Sequence, residues 1–219
     1  ADFESFGDTF DLNAGQGVHI ESHHESQLLP SVIERALVTN NYGGAMDVST
    51  TTKGFLLLSV VDSLIESWVS TATLIHASVG EGFGADVDLG LFFYRDAIHV
   101  DSQTSILFES PLNGVGALGL YGTTLEMGWP GPSAANSLEA SGTGVLFAPN
   151  IGVQIYDSHI RATSPVGLEV LASGSSGAFV DMQNTFITSY GDAIHVATTD
   201  NSFVSLGVSD GSLVNGTTA

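Results

Sequence analysis

The chain has 219 residues, 4 Lys plus Arg against 24 Asp plus Glu, a formal charge of −20 and no cysteine. Such a charge repels phosphate and anionic lipid, which sets aside nucleic acid and anionic membrane surfaces as partners. The missing cysteine excludes disulfides and thiolate chemistry. No apolar run approaches the roughly 18–20 residues of a membrane-spanning helix. Charged residues are only 13% of the chain, and glycine is frequent at 26 residues. The surface is therefore largely neutral and polar with acidic spots, and the backbone turns tightly in many places.

Residues 1–16 are polar and weakly patterned, and read as a cap or a partial coil. The first clear strand is Gly17-Val18-His19-Ile20. Ser22-His23-His24-Glu25-Ser26 follows and reads as an exposed loop, since adjacent side chains on extended chain point apart and do not converge on a metal. Val32–Leu37 has some helical character, but the repeat register favours a strand at 36–39. Tyr42-Gly43-Gly44-Ala45-Met46-Asp47-Val48 is a weak copy of a motif that recurs as Tyr94-Arg95-Asp96-Ala97-Ile98-His99-Val100 and again as Tyr190-Gly191-Asp192-Ala193-Ile194-His195-Val196. Anchored on Gly17, Ala45, Ala72, Ala97, Ala117, Gly144, Gly167 and Ala193, the repeat returns about every 25 residues.

Within each copy, apolar and variable residues alternate, which is the period of a half-buried strand. A second strand per coil aligns Leu37-Val38, Leu64-Ile65, Phe186-Ile187 and Leu213-Val214. A third is suggested by Phe55–Leu58, Phe179-Val180 and Phe203-Val204. One strand motif cannot bury its apolar face alone, but stacked copies can. The expected fold is all-β: a right-handed single-stranded parallel β-helix of about eight to nine coils, forming one domain over 1–219. Handedness follows the general rule for parallel crossovers. Ile20, Ile98, Val100, Ile160, Ile187, Ile194 and Val196 should face inward. Loops are expected near 80–86 and 128–141, the latter from Gly128-Trp129-Pro130-Gly131-Pro132-Ser133, because proline cannot donate to a ladder. Phe92-Phe93-Tyr94 must place at least one aromatic outside.

Stacked repeats expose equivalent side chains in columns, and the anchors give the outward column His19, Asp47, Leu74, His99, Gly119, Leu146, Glu169 and His195. Glu169 and His195 fall on consecutive coils and should touch. Candidate binding-surface residues are Trp129, His99, Glu169, His195 and Phe93. No catalytic, cofactor or metal residues are assigned: the histidines are scattered, and the best calcium candidate, Asp86-Val87-Asp88, lacks the rest of a calcium loop. A carbohydrate-active β-helix enzyme is the alternative, with Asp88 and Glu109 as the nearest carboxylate pair. The motifs of polygalacturonases and the Gly-x-Ser-x-Gly of serine hydrolases are missing.

The strands Gly191-Asp192-Ala193-Ile194-His195-Val196, Asn184-Thr185-Phe186-Ile187 and Asp157-Ser158-His159-Ile160, together with the absent cysteine, few lysines and acidic charge, resemble the passenger domains of bacterial autotransporters. The pertactin-like and self-associating adhesin branches are nearest, and the resemblance runs from Gly17 onward. It implies type V secretion, display at the outer membrane or release outside the cell, binding of a host protein or glycan or self-association, no cofactor, and a translocator barrel downstream. On this reading the chain is an excised passenger fragment without direct membrane insertion.

Overall fold

The computed structural model describes residues 3–11, 13–23, 27–39, 41–51, 53–67, 73–80, 87–100, 104–110, 114–127, 138–162 and 166–216. These residues contain β-strands and no helix. Every strand pairing is parallel, and the strands stack into a β-solenoid with three ladders. The first ladder runs through Glu4–Phe6, Gln27–Glu34, Phe55–Val61, Leu89–Tyr94, Gly116–Tyr121, the later parts of Leu138–Tyr156 and Val166–Gln183, and Phe203–Ser209. The second is a separate sheet: Thr9–Asp11, Leu37–Thr39, Leu64–Ser67, Ala97–Val100, Thr124–Met127, His159–Arg161, Phe186–Ser189 and Leu213–Gly216. The third contains Val18–Ser22, Met46–Thr50, Thr73–Ser78, Thr104–Ser110, the early parts of the two long strands, and Asp192–Thr198.

The coil count falls slightly short of the eight to nine expected. Of the two readings of residues 1–16, the partial coil fits the strands there, because Glu4–Phe6 pairs with Val32–Glu34 and Thr9–Asp11 with Leu37–Thr39. The two long strands bend from the third ladder into the first, which joins those faces into one sheet.

The corner between the first and second ladders explains why the chain coils. In each turn one residue adopts a left-handed backbone: Gly7, Arg35, Asp62, Arg95, Gly122, Asp157 and Asn184, with φ between 47° and 69°. Its N–H donates to a carbonyl one coil onward, as Arg35 N to Val61 O at 2.9 Å and Arg95 N to Tyr121 O at 2.8 Å. The next residue is commonly a buried hydroxyl, including Ser63, Thr123, Ser158 and Thr185. Ser63 Oγ accepts from Ala36 N at 3.0 Å and donates to Val61 O at 2.9 Å. Ser158 does the same with Thr123 N and Tyr156 O. A polar side chain can be buried here because both its donor and its acceptor are used.

Two residues after this buried polar position comes the inward apolar one: Val38, Ile65, Ile98, Leu125, Ile160 and Ile187, each at most 1% exposed. They stack in one row. The spacing that recurs along this row is 27, as between Ile160 and Ile187 or Val38 and Ile65, lengthened where a loop intervenes. Each such side chain withdrawn from water contributes about 1.5–3 kcal/mol.

This geometry corrects the register of the motif that first indicated a repeat. Ala97–Val100 lies in the second ladder, paired with Leu64–Ser67 and Thr124–Met127. Its near-copy Ala193–Val196 lies in the third ladder, paired through Leu168–Val170. Alternation tells which residues point inward but not which side of the coil a strand occupies. Arg95-Asp96 precedes the second-ladder copy as the left-handed corner, whereas Gly191-Asp192 precedes the other without one. Ala117 belongs to the first ladder. Phe179 pairs with Ser205 and not with Phe203, a shift of two residues that keeps the face unchanged.

Of the residues expected inside, Ile20, Ile98, Val100, Ile160 and Ile187 are buried. Ile194 is partly buried against the core, and Val196 is 38% exposed. Both point inward by register, opposite Leu168 and Val170. They lie in the last rung of their ladder, so no further described strand covers them.

Close stacking makes certain glycines irreplaceable. A Cβ at Gly54 would overlap the carbonyl oxygen of Ser22 on the preceding coil. Backbone cannot yield as a side-chain tip can, so Gly54→Ala is expected to destabilise by about 1–3 kcal/mol, the usual range for overpacking. Urea unfolding of the variant beside the parent measures this; equal midpoints would place the turn elsewhere.

Candidate binding surface

The outward side chains of the third ladder form a continuous polar arrangement. Val18–Ser22 pairs with Met46–Thr50, which pairs with Thr73–Ser78, so His19, Asp47 and His76 come into one column. Their inward neighbours Ile20, Val48 and Ala77 are buried, which orients the polar residues to solvent. His19 Nδ1 lies 3.0 Å from Asp47 Oδ2, and His76 Nδ1 lies 3.0 Å from Asp47 Oδ1. The other nitrogen of His76 is 3.2 Å from Glu109 Oε1. On the first rung, Glu21 Oε2 lies 3.1 Å from His23 Nε2 and 3.8 Å from His19 Nε2. The result is an unbroken alternation of imidazole and carboxylate: His23, Glu21, His19, Asp47, His76, Glu109.

The chemistry of this array follows from donor counts. A carboxylate can only accept, and a neutral imidazole carries one N–H. Neutral His76 can therefore donate to Asp47 or to Glu109, whereas its imidazolium form donates to both. The groups are partly solvated, with side-chain exposures from 21% at Asp47 to 53% at His23. Exposed pairs of this kind contribute little stability, typically under about 1 kcal/mol. The array is thus a feature of the surface more than a support of the fold.

Beside it lies an open depression of about 410 Å³, lined among others by Gln16, Tyr42, Met46, Asp47, Thr73, His76 and Leu107. A second, of about 450 Å³, sits at the first coils around Phe3, Phe10, His19 and Glu21. Both volumes fall within the few hundred to about 1,000 Å³ of small-molecule sites. Among the described residues, no group of three or more His, Asp or Glu is placed to hold a metal ion.

The positions singled out from the sequence are scattered over the molecule. Glu169 and His195 do meet, with Oε1 2.9 Å from Nδ1, in the same outward column as His19 and Asp47 but several coils away. His99 lies on a different face, half-buried on the second ladder between the rungs bearing Glu66 and Glu126. The column assignments at Leu74 and Gly119 are likewise corrected. Leu74 is buried, and the true column member on that rung is His76. Gly119 sits on the first ladder. Leu146 lies in Leu138–Tyr156, in a part where side chains are not described, as are those of Glu139 and its neighbours.

Phe93 is withdrawn as a surface residue, since it is fully buried, opposite Val60 and Leu120. Its neighbours Phe92 and Tyr94 take the outward positions. Tyr94 stacks on Tyr121 with ring centres 4.9 Å apart, and Tyr121 meets Tyr156 edge-on at 5.7 Å. Trp129 and Asp86 lie outside the described residues. Asp88 and Glu109, weighed as a catalytic pair, are on different parts of the coil. Asp88 is 2% exposed and its Oδ2 accepts from Val115 N at 2.8 Å, while Glu109 is on the third face.

His76, Tyr42 and Gln16 were missed in the sequence. A fixed spacing near 25 cannot find His76, because it stands 29 residues after Asp47 and 33 before Glu109. The detectable signal was Ile75-His76-Ala77, an apolar–polar–apolar alternation like Val18-His19-Ile20.

Fold and surface together define a parallel β-solenoid with a polar, imidazole- and carboxylate-bearing face. No protein-family model matches the chain, and neither a curated protein nor a solved structure matches it significantly.

Proposed function

We propose that this chain is a non-catalytic binding module: an adhesin-type β-solenoid of the bacterial autotransporter passenger kind, displayed at the cell surface or released, that engages host ligands or its own copies. The observation that carries this reading is the third face, where stacked rungs present an ordered, solvent-facing row of hydrogen-bonding groups beside an open depression. Solenoids use such extended faces for binding. The cysteine-free, acidic sequence agrees with passage through an outer-membrane pore, and with partners that are not polyanions.

The test is display of the chain ahead of a translocator barrel on non-adherent bacteria. The expected result is that cells aggregate or adhere to host cell layers, and that the double substitution Asp47→Ala, His76→Ala reduces this at least several-fold without altering the melting profile. Folded, displayed chain that produces neither effect defeats the reading. Light scattering over a concentration series separates self-association from capture of a foreign ligand.

A second reading has one observation in its favour. Asp47 and Glu109 flank the His76 ring, one at each nitrogen, and Asp47 and His76 line a solvent-open depression. Glycoside cleavage uses two carboxylates about 5–10 Å apart. Release of reducing ends from neutral polysaccharides, lost in Glu109→Gln, would favour a carbohydrate-active enzyme over a passive binder.

A further inference from the structure

We propose that the depression between Tyr42 and His76 is a saccharide subsite that takes one uncharged sugar unit of a glycan. The proposal deepens the binding-module reading and rests on it.

Tyr42 is 61% exposed, the most exposed large hydrophobic side chain among the described residues. Its ring therefore adds little to the core. Yet the turn that carries it is rigidly built. Tyr42 N donates to Asn13 O at 3.0 Å, Gly43 N to Gly15 O at 3.0 Å, and Gly44 N to Asn41 O at 3.1 Å. The adjoining Asn41 is 1% exposed. Its Oδ1 accepts from Asn13 N at 3.1 Å and from Asn13 Nδ2 at 2.7 Å, while its own Nδ2 donates to Phe10 O at 3.0 Å. Gly44 completes the turn at φ +105°, a conformation open to glycine. Gly43 has no room for a side chain, since a Cβ would come within 2.8 Å of Gly15 C and Gln16 N. A solvent-facing aromatic ring is thus held on backbone that cannot easily move, and holding a contact group in place before binding lowers the entropy lost on binding.

The walls specify the ligand. Leu107 supplies a half-buried apolar side chain, and Tyr42 an aromatic ring. Gln16, Thr73 and Asp47 add polar groups to the same depression. Asp47 uses each oxygen once, toward His19 and His76, and a carboxylate oxygen has a second lone pair to offer. The rim is consequently rich in acceptors. Its ligand must bring donors on one edge and an apolar surface on another. A pyranose does both, because its ring C–H groups make an apolar face and its hydroxyls donate from the rim. A peptide strand would need its backbone groups paired in a ladder, and the outward side of a paired sheet offers none. Charge decides among sugars: with Asp47 in the wall and −20 on the chain, uronates, sulfated sugars and sialic acid are repelled.

The experiment uses the whole chain. Its heteronuclear NMR spectrum is recorded with increasing glucose, galactose, mannose and N-acetylglucosamine, their short oligomers, and glucuronate as the charged control; the same sugars are added as inhibitors in the adhesion assay. The expected result is that at least one neutral sugar shifts the amides of Tyr42, Gly43 and Thr73, while glucuronate does not. Tyr42→Ala and Gln16→Ala should each weaken binding at least tenfold with the melting profile unchanged. Neutral sugars that leave these amides in place overturn the saccharide subsite, and so does binding that survives Tyr42→Ala. If adhesion persists in that case, insensitive to sugars and to Tyr42→Ala, the binding-module reading stands and its ligand is of another class. If a sugar binds at Tyr42 but displayed cells neither adhere nor aggregate, the subsite stands and the adhesive role falls.

Discussion

Asp96→Ser is expected to flatten the pH dependence of this protein's stability and to make it more stable than the parent above neutral pH. Asp96 occupies the buried corner position that Ser63, Thr123, Ser158 and Thr185 fill on other coils, and it is 2% exposed. Its carboxyl accepts Ser63 N at 2.7 Å and Tyr94 N at 2.8 Å. Loss of water around the charge pushes its pKa up to about 7, against the two N–H groups, which favour the charged form. Because the folded value lies above the ordinary 3.8, the folded state binds a proton more tightly than the unfolded chain. The stabilisation is therefore complete below about pH 4 and is lost as pH rises toward 7, at up to about 1.4 kcal/mol per pH unit. A serine carries no charge at any pH. It can accept Ser63 N and donate to Tyr94 O, as Ser63 does with Ala36 N and Val61 O. Urea unfolding of both proteins between pH 4.5 and 8.5 measures the effect. Parallel stability curves for the two would mean that Asp96 does not change protonation on folding in this range.

Phe93→Ala is expected to destabilise by about 3–5 kcal/mol, the range for truncating a buried aromatic. Phe93 is 0% exposed and among the largest fully buried side chains. Its register partners Val60 and Leu120 are also fully buried, so the cavity would open in the middle of a stacked row and not at an end. Val196→Ala is the internal control. Val196 points inward by register but is 38% exposed, and its loss should cost under about 1 kcal/mol. The two melting profiles are the measurement. Comparable losses from the two substitutions would indicate that Phe92 and Tyr94, and not Phe93, face the core.

What the sequence by itself determined is the solenoid and much of its inward face. Alternation along Ile98-His99-Val100 or Ile194-His195-Val196 assigns inside and outside because successive side chains on a strand point to opposite faces. The recurrence of Leu37-Val38, Leu64-Ile65, Phe186-Ile187 and Leu213-Val214 placed those four segments on one ladder, where the structure has them. The contact between Glu169 and His195 was equally legible, because the two residues are separated by one short coil of 26 residues.

Tertiary structure alone decided the face of each strand and the members of the candidate binding surface. Ala97–Val100 and Ala193–Val196 have the same local pattern yet lie on different ladders, since a strand's face is set by the corners before it and not by its own alternation. His76 joined His19 and Asp47 because coils differ in length, with 28 residues from His19 to Asp47 and 29 from Asp47 to His76; Glu109 reaches His76 from the diagonal position, since the register partner of His76 is Leu107. Tyr42 sits in a copy of the same motif that elsewhere holds Tyr94, but its turn lifts it into solvent while Tyr94 packs on Tyr121. An exposed aromatic and a packed one look alike in one dimension. What separates them is the neighbouring coil, and whether it supplies a surface for the ring to cover.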